Sequence, residues 1–191
     1  EEDGATLLAH LEKIVQYNVQ SSEKEKFDGV MLDIEPYISD SWKENPEEYM
    51  DRYISCMKKG YKFAQKNHLR TAICIPRHYD NQGLTSGLEE LIKETCDEVA
   101  VMNYSCGNEI EAIRTEAALS EKYGKELHCI LEFQEVGKHG LTENKTYRNK
   151  GIDNAKETWE KLQKEYKNIN VTRDYHWSRH VREMLEEKNA D

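Results

Sequence analysis

The 191-residue sequence predicts an α/β protein whose strands lie parallel in one sheet. Five short apolar segments alternate with amphipathic segments of helical period, and a further amphipathic segment precedes them. A strand, a helix and a second strand in succession build a right-handed parallel crossover. The strands are predicted to begin near residues 28, 70, 98, 127 and 169, about 35 residues apart, as in (β/α)8 barrel units. A closed barrel needs roughly 250 residues. We therefore expect residues 1–191 to form one domain, a partial or truncated TIM barrel of five parallel units, the alternative being an open doubly wound parallel sheet.

The elements before residue 96 have clear sequence signals. Leucines and isoleucines recur at helical spacing between Thr6 and Val19, which predicts the leading helix. The segment FDGVMLDIEP is short and apolar, and it predicts a buried strand. Asn45 can cap a helix that Pro46 begins, and that helix should end near Asn67. The next predicted elements are a strand over LRTAICIP and a helix over 86–95.

The second half of the sequence continues the alternation. EVAVMNYS predicts a strand, and a helix is predicted from Glu109 to Lys122, ended by Gly124. LHCILEF predicts the fourth strand, which a loop of 17 residues follows, QEVGKHGLTENKTYRNK. The remaining elements are a helix over 152–167, a strand over INVTRDYHW and a helix over 178–188.

Composition excludes several classes of protein. The formal net charge is −10, whereas proteins that bind nucleic acid or anionic membranes need a basic face. No apolar run approaches the roughly 20 residues of a membrane span. The sequence contains no glycine-rich phosphate loop and no metal-binding signature, so we expect no cofactor and no metal. The first residues carry no visible signal peptide, and the compartment stays open.

The chemistry is expected where the strands end, because parallel α/β folds place their sites at the carboxyl ends of strands. Asp33 and Glu35 come at the end of the first strand, and residues i and i+2 of a strand point to the same side. Two carboxylates held close together raise the pKa of one of them, which suits a general acid beside an ionised partner. Taken alone, the two residues fit either an acid pair of the kind that cleaves glycosidic bonds or a polar strand end that caps the next loop.

Residues 28–35, DGVMLDIE, resemble the DGxDxDxE signature of glycoside hydrolase family 18, the chitinase-like barrels. The resemblance implies that these residues are the fourth barrel strand, that Glu35 is the general acid and that Asp33 orients the substrate acetamido group. Residues 101–105, VMNYS, look like the family's MxYD strand, whose tyrosine, here Tyr104, contacts the acetamido carbonyl. The expected substrate is then an amino-sugar polysaccharide of the chitin or peptidoglycan type. The resemblance also implies a chain without the first three strands and favours a secreted or cell-surface location.

Two substitutions leave a second function open. Met31 stands where the family has its innermost aspartate, and Ser105 replaces the aspartate of MxYD. The chain is therefore either a glycoside hydrolase or a non-catalytic carbohydrate-binding relic. A third hypothesis makes it a retaining glycosidase that uses Glu35 and Glu132, at barrel strands four and seven.

The other polar and aromatic residues at strand ends are predicted to bind the sugar. They are Tyr37, His78, Asn103, Glu132, Gln134, Tyr175, His176 and Trp177. Trp42 follows the acidic strand and either stacks on sugar or packs beneath its loop. The two open edges of a partial barrel predict self-association.

Overall fold

The computed structural model describes residues 4–190, and within them it contains eight α-helices and five strands. The strands are β1 (Gly29–Asp33), β2 (Arg70–Pro76), β3 (Glu98–Met102), β4 (Glu126–Glu132) and β5 (Val171–His176). The helices are α1 (Ala5–Gln20), α2 (Asp40–Glu44), α3 (Pro46–Lys66), α4 (Thr85–Glu94), α5 (Glu109–Ala112), α6 (Arg114–Tyr123), α7 (Ile152–Glu165) and α8 (Ser178–Ala190).

The strands form one parallel sheet whose order, β1-β2-β3-β4-β5, follows the order of the chain. Helices occupy every connection between consecutive strands. The prediction of an α/β protein with five parallel strands is therefore confirmed. The chain also divides, within β3, into two compact units: the first ends at Val99 and the second begins at Ala100.

The core of the first unit lies between β2 and α3. All of β2 after Arg70 is buried, as a strand covered on both faces must be. Helix α3 begins as the sequence predicts, because the Asn45 side chain accepts a hydrogen bond from the Glu48 amide at 3.4 Å and Pro46 takes the first helical position. Gly60 of α3 lets α1 approach closely: a Cβ there would lie 2.6 Å from Leu7 Cδ2.

The prediction that the first strand is buried is wrong. β1 stands at one end of the strand order and pairs, in parallel, with β2 from Gly29↔Arg70 to Asp33↔Cys74. None of its five residues is buried, and Met31 is 50% exposed. An edge strand has a neighbour on one side only and is covered less than a central strand. The apolar side chains of β1 can therefore remain partly exposed. The exposure of both Met31 and Asp33 agrees with the expectation that i and i+2 point to one side.

The core of the second unit lies between β4 and α7. Trp159 of α7 is buried, packs on Phe133 and donates a hydrogen bond from its indole Nε1 to the Cys129 carbonyl at 3.0 Å. β5 pairs with β4 from Leu127↔Val171 to Glu132↔His176. The loop after β4 returns to that strand, because the Tyr147 amide donates to the Glu132 carbonyl at 2.8 Å.

The helix predicted from Glu109 to Lys122 is two helices. Ile113 separates α5 from α6 with φ −126° and ψ 18°, outside the helical region. Ile113 is fully buried at this break, which periodicity alone does not reveal. The glycine stop is confirmed, since Gly124 follows α6 with φ 64°.

None of the helices between residues 4 and 190 is long and apolar enough to cross a bilayer.

Candidate functional site

The first unit places the predicted general acid just beyond the carboxyl end of β1. Glu35 is half-buried, and the Tyr37 hydroxyl donates a hydrogen bond to its Oε1 atom. Among the described residues, Glu35 Oε2 has no hydrogen-bond partner. Asp33, the last residue of β1, is exposed. One oxygen of Glu35 is thus fixed by the protein while the other remains available to a ligand.

Tyr37 connects Glu35 with two further residues that follow β2. Burial, the hydrogen bond to Glu35 and the negative charges of Glu35 and Asp33 raise the pKa of the Tyr37 phenol. The phenol therefore remains protonated and acts as a donor to Glu35. Its ring meets His78 edge-on at 5.3 Å and Tyr79 at 6.2 Å between centroids. Glu35, Tyr37 and His78, all expected from the sequence, lie together in this unit.

His78 is a neutral imidazole at neutral pH. Burial lowers its pKa, the positive charge of Arg77 lowers it further, and Asp80 only partly opposes them. A neutral imidazole has one donor and one acceptor nitrogen, which suits hydrogen bonds with sugar hydroxyls.

Trp42 packs rather than presenting a free face. It is buried and tilts against the fully buried Tyr79, with ring centroids 5.6 Å apart. Of the two roles considered for Trp42, the structure supports packing beneath the loop. The Tyr79 hydroxyl is buried and finds no hydrogen-bond partner among residues 4–190, and both burial and the charge of Glu35 raise its pKa.

The second unit contains a buried carboxylate at the end of β4. Glu132 is only 2% exposed, and both of its oxygens receive hydrogen bonds. The backbone amides of Phe133 and Gln134 donate to Oε1, each at 2.8 Å, and the Gln134 side chain donates to Oε2 at 3.2 Å. His176 Nδ1 lies 2.8 Å from Oε2. Glu132 is therefore held on every side by its own fold.

The hydrogen bonds around Glu132 outweigh its burial. Burial alone favours the neutral acid, but the bond from His176 and that from the Gln134 amide lower the pKa of Glu132 below its usual range. Because an ionised carboxylate can only accept, the shared proton resides on His176 Nδ1.

Aromatic rings flank His176. Its ring stacks on Tyr104 at 5.9 Å with an interplanar angle of 26°, and on Trp177 at 6.5 Å with an angle of 28°. Trp177 is 49% exposed. Glu132 and Gln134 adjoin His176, so the second unit brings these five predicted residues together.

Two residues predicted to bind sugar take part in the interior of the second unit. The Asn103 side chain is 1% exposed and donates from Nδ2 to the Glu109 carbonyl at 2.9 Å. Tyr175 packs its ring against Trp159 at 5.0 Å and remains 44% exposed. Sugar binding by either residue stays a prediction.

Sequence reasoning missed two buried polar groups, the Tyr79 hydroxyl and the carboxylate of Glu109. Tyr79 stands beside His78 at a predicted strand end, so its position was available from the sequence. Glu109 was read only as the start of a helix, and its partner Tyr147 lies in the long loop 38 residues away. No local pattern connects residues that far apart.

Comparisons with known proteins return no match. No family model, curated protein or solved structure matches this chain.

Proposed function

We propose that the chain is a glycoside hydrolase-like protein that cleaves an amino-sugar polysaccharide of the chitin or peptidoglycan type, with Glu35 as the general acid. One observation carries the proposal: a half-buried carboxyl group stands past the carboxyl end of a parallel strand, with Oε1 bound by Tyr37 and Oε2 without a partner among the described residues. This is the geometry of an acid that can approach a glycosidic oxygen.

The proposed reaction assigns one step to each residue. Glu35 transfers a proton to the glycosidic oxygen, the bond from that oxygen to the anomeric carbon breaks, and the leaving sugar departs as an alcohol. Water then adds to the anomeric carbon and gives a proton to the Glu35 carboxylate, which restores the acid. Asp33 stabilises the positive charge that develops on the ring or orients the acetamido group. In the second unit by itself, Tyr104 is proposed to donate a hydrogen bond to an acetamido carbonyl and Trp177 to stack on a sugar ring.

A partial (β/α)8 barrel is the architecture that we propose for this function. The strand order follows the chain without reversal, as it does in consecutive barrel units. Doubly wound sheets reverse their order at the switch point where their ligands bind. A sheet without a reversal supports a site built from successive strand ends.

Glu132 is better suited to positioning than to nucleophilic attack. Its two oxygens receive four hydrogen bonds from the fold, and it is buried. A nucleophile in a retaining glycosidase must reach the anomeric carbon with a free oxygen. We therefore favour a role for Glu132 in holding the His176 ring between Tyr104 and Trp177.

The decisive experiment measures hydrolysis of aryl glycosides of N-acetylglucosamine, glucose and galactose. We expect turnover of the N-acetylglucosamine substrate by the wild type and a loss of at least 100-fold in the Glu35→Gln variant, since general acids contribute roughly 10²–10⁴-fold. Glu12→Gln, an exposed change on α1, is the matched control and should retain full activity. Equal turnover by wild type and Glu35→Gln would refute the assignment of Glu35.

A carbohydrate-binding protein without catalysis is the second candidate. It is favoured by the stacked rings of Tyr104, His176 and Trp177, together with the two family aspartates replaced by Met31 and Ser105. Of the three tryptophans only Trp177 is exposed, so its fluorescence reports on ligand at the stack. Quenching by N-acetylglucosamine oligomers without any hydrolysis, abolished in Trp177→Ala, would select this candidate.

A further inference from the structure

A cavity of about 720 Å³ lies in the second unit, beside α5 and along one face of α7. Its walls come from the loop before α5, from Tyr147 and from residues spaced three and four apart on α7. The volume falls within the roughly 300–1,000 Å³ of small-molecule sites. None of the residues assigned to the proposed glycosidase function lines this cavity, so the proposed function does not account for it.

Glu109 supplies the buried polar group of the cavity. It is 8% exposed, and its Oε1 accepts hydrogen bonds from the Gly107 amide at 2.8 Å and from the Tyr147 hydroxyl. Its Oε2 has no partner within residues 4–190. The side chain as a whole is largely buried, and its Oε2 is left to accept a hydrogen bond from a charged donor that a ligand brings.

The fold holds this carboxylate rigidly. The Tyr147 hydroxyl also contacts Thr158 Oγ1 of α7 at 2.8 Å, and the Tyr166 hydroxyl donates to the Ile110 carbonyl of α5 at 2.5 Å. Burial and the bond to Glu109 raise the pKa of Tyr147, so the phenol stays a donor. Because these side chains are already fixed, binding a ligand costs little of their conformational entropy.

The rim of the cavity carries the opposite charge. Lys150 and Lys161 both line it, and neither forms an ion pair within the described part of the chain. Glu165 lines it as well, so the walls carry charges of both signs. The wall carboxylate of Glu111 is already paired with Arg114. Cys106 also lines the cavity, but burial raises the pKa of its thiol to about 11, so it stays protonated at neutral pH.

We propose that this cavity binds a short peptide with free termini, whose ammonium group contacts Glu109 Oε2 and whose carboxylate contacts Lys150 and Lys161. An acceptor oxygen without a partner in the fold selects the ammonium, and the ammonium groups of the two lysines select the carboxylate. Asn154 lies on the same helix face and offers its side-chain amide to the peptide backbone between the two ends. Three residues in extended conformation span about 10 Å, a length that fits a cavity running along α7.

The test uses three peptides of nearly equal size: trialanine, N-acetyl-trialanine and trialanine amide. Acetylation removes the ammonium charge, and amidation removes the carboxylate charge. Titrations are followed by the ¹⁵N–¹H signal of Gly107, whose amide binds Glu109. We expect trialanine to move this signal in a saturable way and each modified peptide to bind at least 10-fold more weakly.

Matched variants connect each charge of the peptide with its residue. In Glu109→Gln, trialanine and N-acetyl-trialanine should bind equally weakly, because the preference for the ammonium is lost. In Lys161→Met, the difference between trialanine and its amide should shrink, whereas Lys164→Met, outside the cavity on the same helix, should keep it. If Glu109→Gln fails to fold, the comparison of Lys161→Met with Lys164→Met, both at exposed positions, still tests the proposal.

Three results would overturn the proposal: no shift of Gly107 up to 10 mM trialanine, equal affinity for all three peptides, or equal binding by trialanine and its amide. The last result would identify a site for simple amines. None of them depends on glycoside turnover, so this proposal and the proposed function fail separately.

Discussion

Glu132 and His176 are register partners on the paired strands β4 and β5, and a hydrogen bond of 2.8 Å joins their side chains. Neighbouring parallel strands place such partners on the same side of the sheet. The carboxylate fixes the tautomer and the orientation of the imidazole, as carboxylates bonded to catalytic and metal-binding histidines do in other proteins. His176 is therefore held in place by the sheet itself.

Replacing Glu132 by glutamine should destabilise the protein. Glutamine has the same shape, but its side-chain NH2 group would face one or more of the hydrogen-bond donors that bind the Glu132 carboxylate. We expect a loss of about 1–3 kcal/mol in the free energy of unfolding, the cost of leaving a buried polar group unsatisfied. Urea denaturation measures it. Glu135→Gln, an exposed change three residues along the chain, should stay within about 0.5 kcal/mol of wild type.

The stability that Glu132 contributes should depend on pH. Its pKa in the folded protein is lowered below 4.5, the value of an ordinary glutamate, so the unfolded chain binds its proton first as the pH falls. The contribution is complete above that value and is lost as the pH falls through the folded pKa. The difference in unfolding free energy between wild type and Glu132→Gln should thus shrink below about pH 4.5. A constant difference down to pH 3 would contradict the assigned direction.

His78 should titrate below 6.5, the value of an ordinary histidine, because burial and Arg77 both oppose its protonation. NMR titration of the His78 ring measures this directly. Arg77→Gln removes one of the two causes, so the pKa should rise in that variant yet stay below 6.5. Since the folded pKa is depressed, this residue's contribution to stability is complete above pH 6.5 and declines as the pH falls toward the folded value. His78→Gln should lack that decline.

Two buried tyrosines should respond oppositely to loss of the hydroxyl. The Tyr79 hydroxyl is buried without a partner between residues 4 and 190, so Tyr79→Phe should leave stability unchanged or raise it by up to about 1 kcal/mol. The Tyr147 hydroxyl bonds Glu109 and Thr158, so Tyr147→Phe should cost about 1–3 kcal/mol. Thermal and urea unfolding of both variants compare the two. Equal losses would show that the Tyr79 hydroxyl is bound.

Gly60→Ala should destabilise the first unit although alanine favours helices. The added methyl would lie 2.6 Å from Leu7 Cδ2, closer than real Cβ contacts allow. Overpacking costs about 1–3 kcal/mol, and the helix propensity returns up to about 1 kcal/mol. The expected net loss reaches about 2 kcal/mol by urea denaturation. The double variant Gly60→Ala with Leu7→Ala should show coupling, because the two side chains compete for one space.

The order and type of the elements follow from local sequence alone. Asn45 and Pro46 predict the start of α3, and Gly124 predicts the end of α6, because caps are properties of a few adjacent residues. The exposure of β1 depends on where the strand lies in the sheet, and its short apolar run carries no such information. The interruption at Ile113 is equally invisible, since apolar spacing continues across it.

The positions of the candidate residues could be predicted from the sequence, but the side chains that each of them contacts could not. Strand ends identified Glu35 in the first unit, and Glu132 and His176 in the second, because parallel α/β folds place functional residues at the carboxyl ends of strands. That Tyr37 binds Glu35, and that Glu132 is enclosed by four donors, depends on side-chain orientation in three dimensions. The cavity around Glu109 was not predicted at all, because its walls are distant in sequence.

Each unit pairs strands that follow one another in the chain, β1 with β2 and β4 with β5. Every such pairing closes a loop of roughly 40 residues, and loop-closure entropy grows only slowly with length. A chain emerges from the ribosome at about 5–20 residues per second. Strand β1 can therefore pair with β2 several seconds before β5 has been synthesised. The nascent chain can therefore fold by successive local pairings, beginning before its last strand has been synthesised.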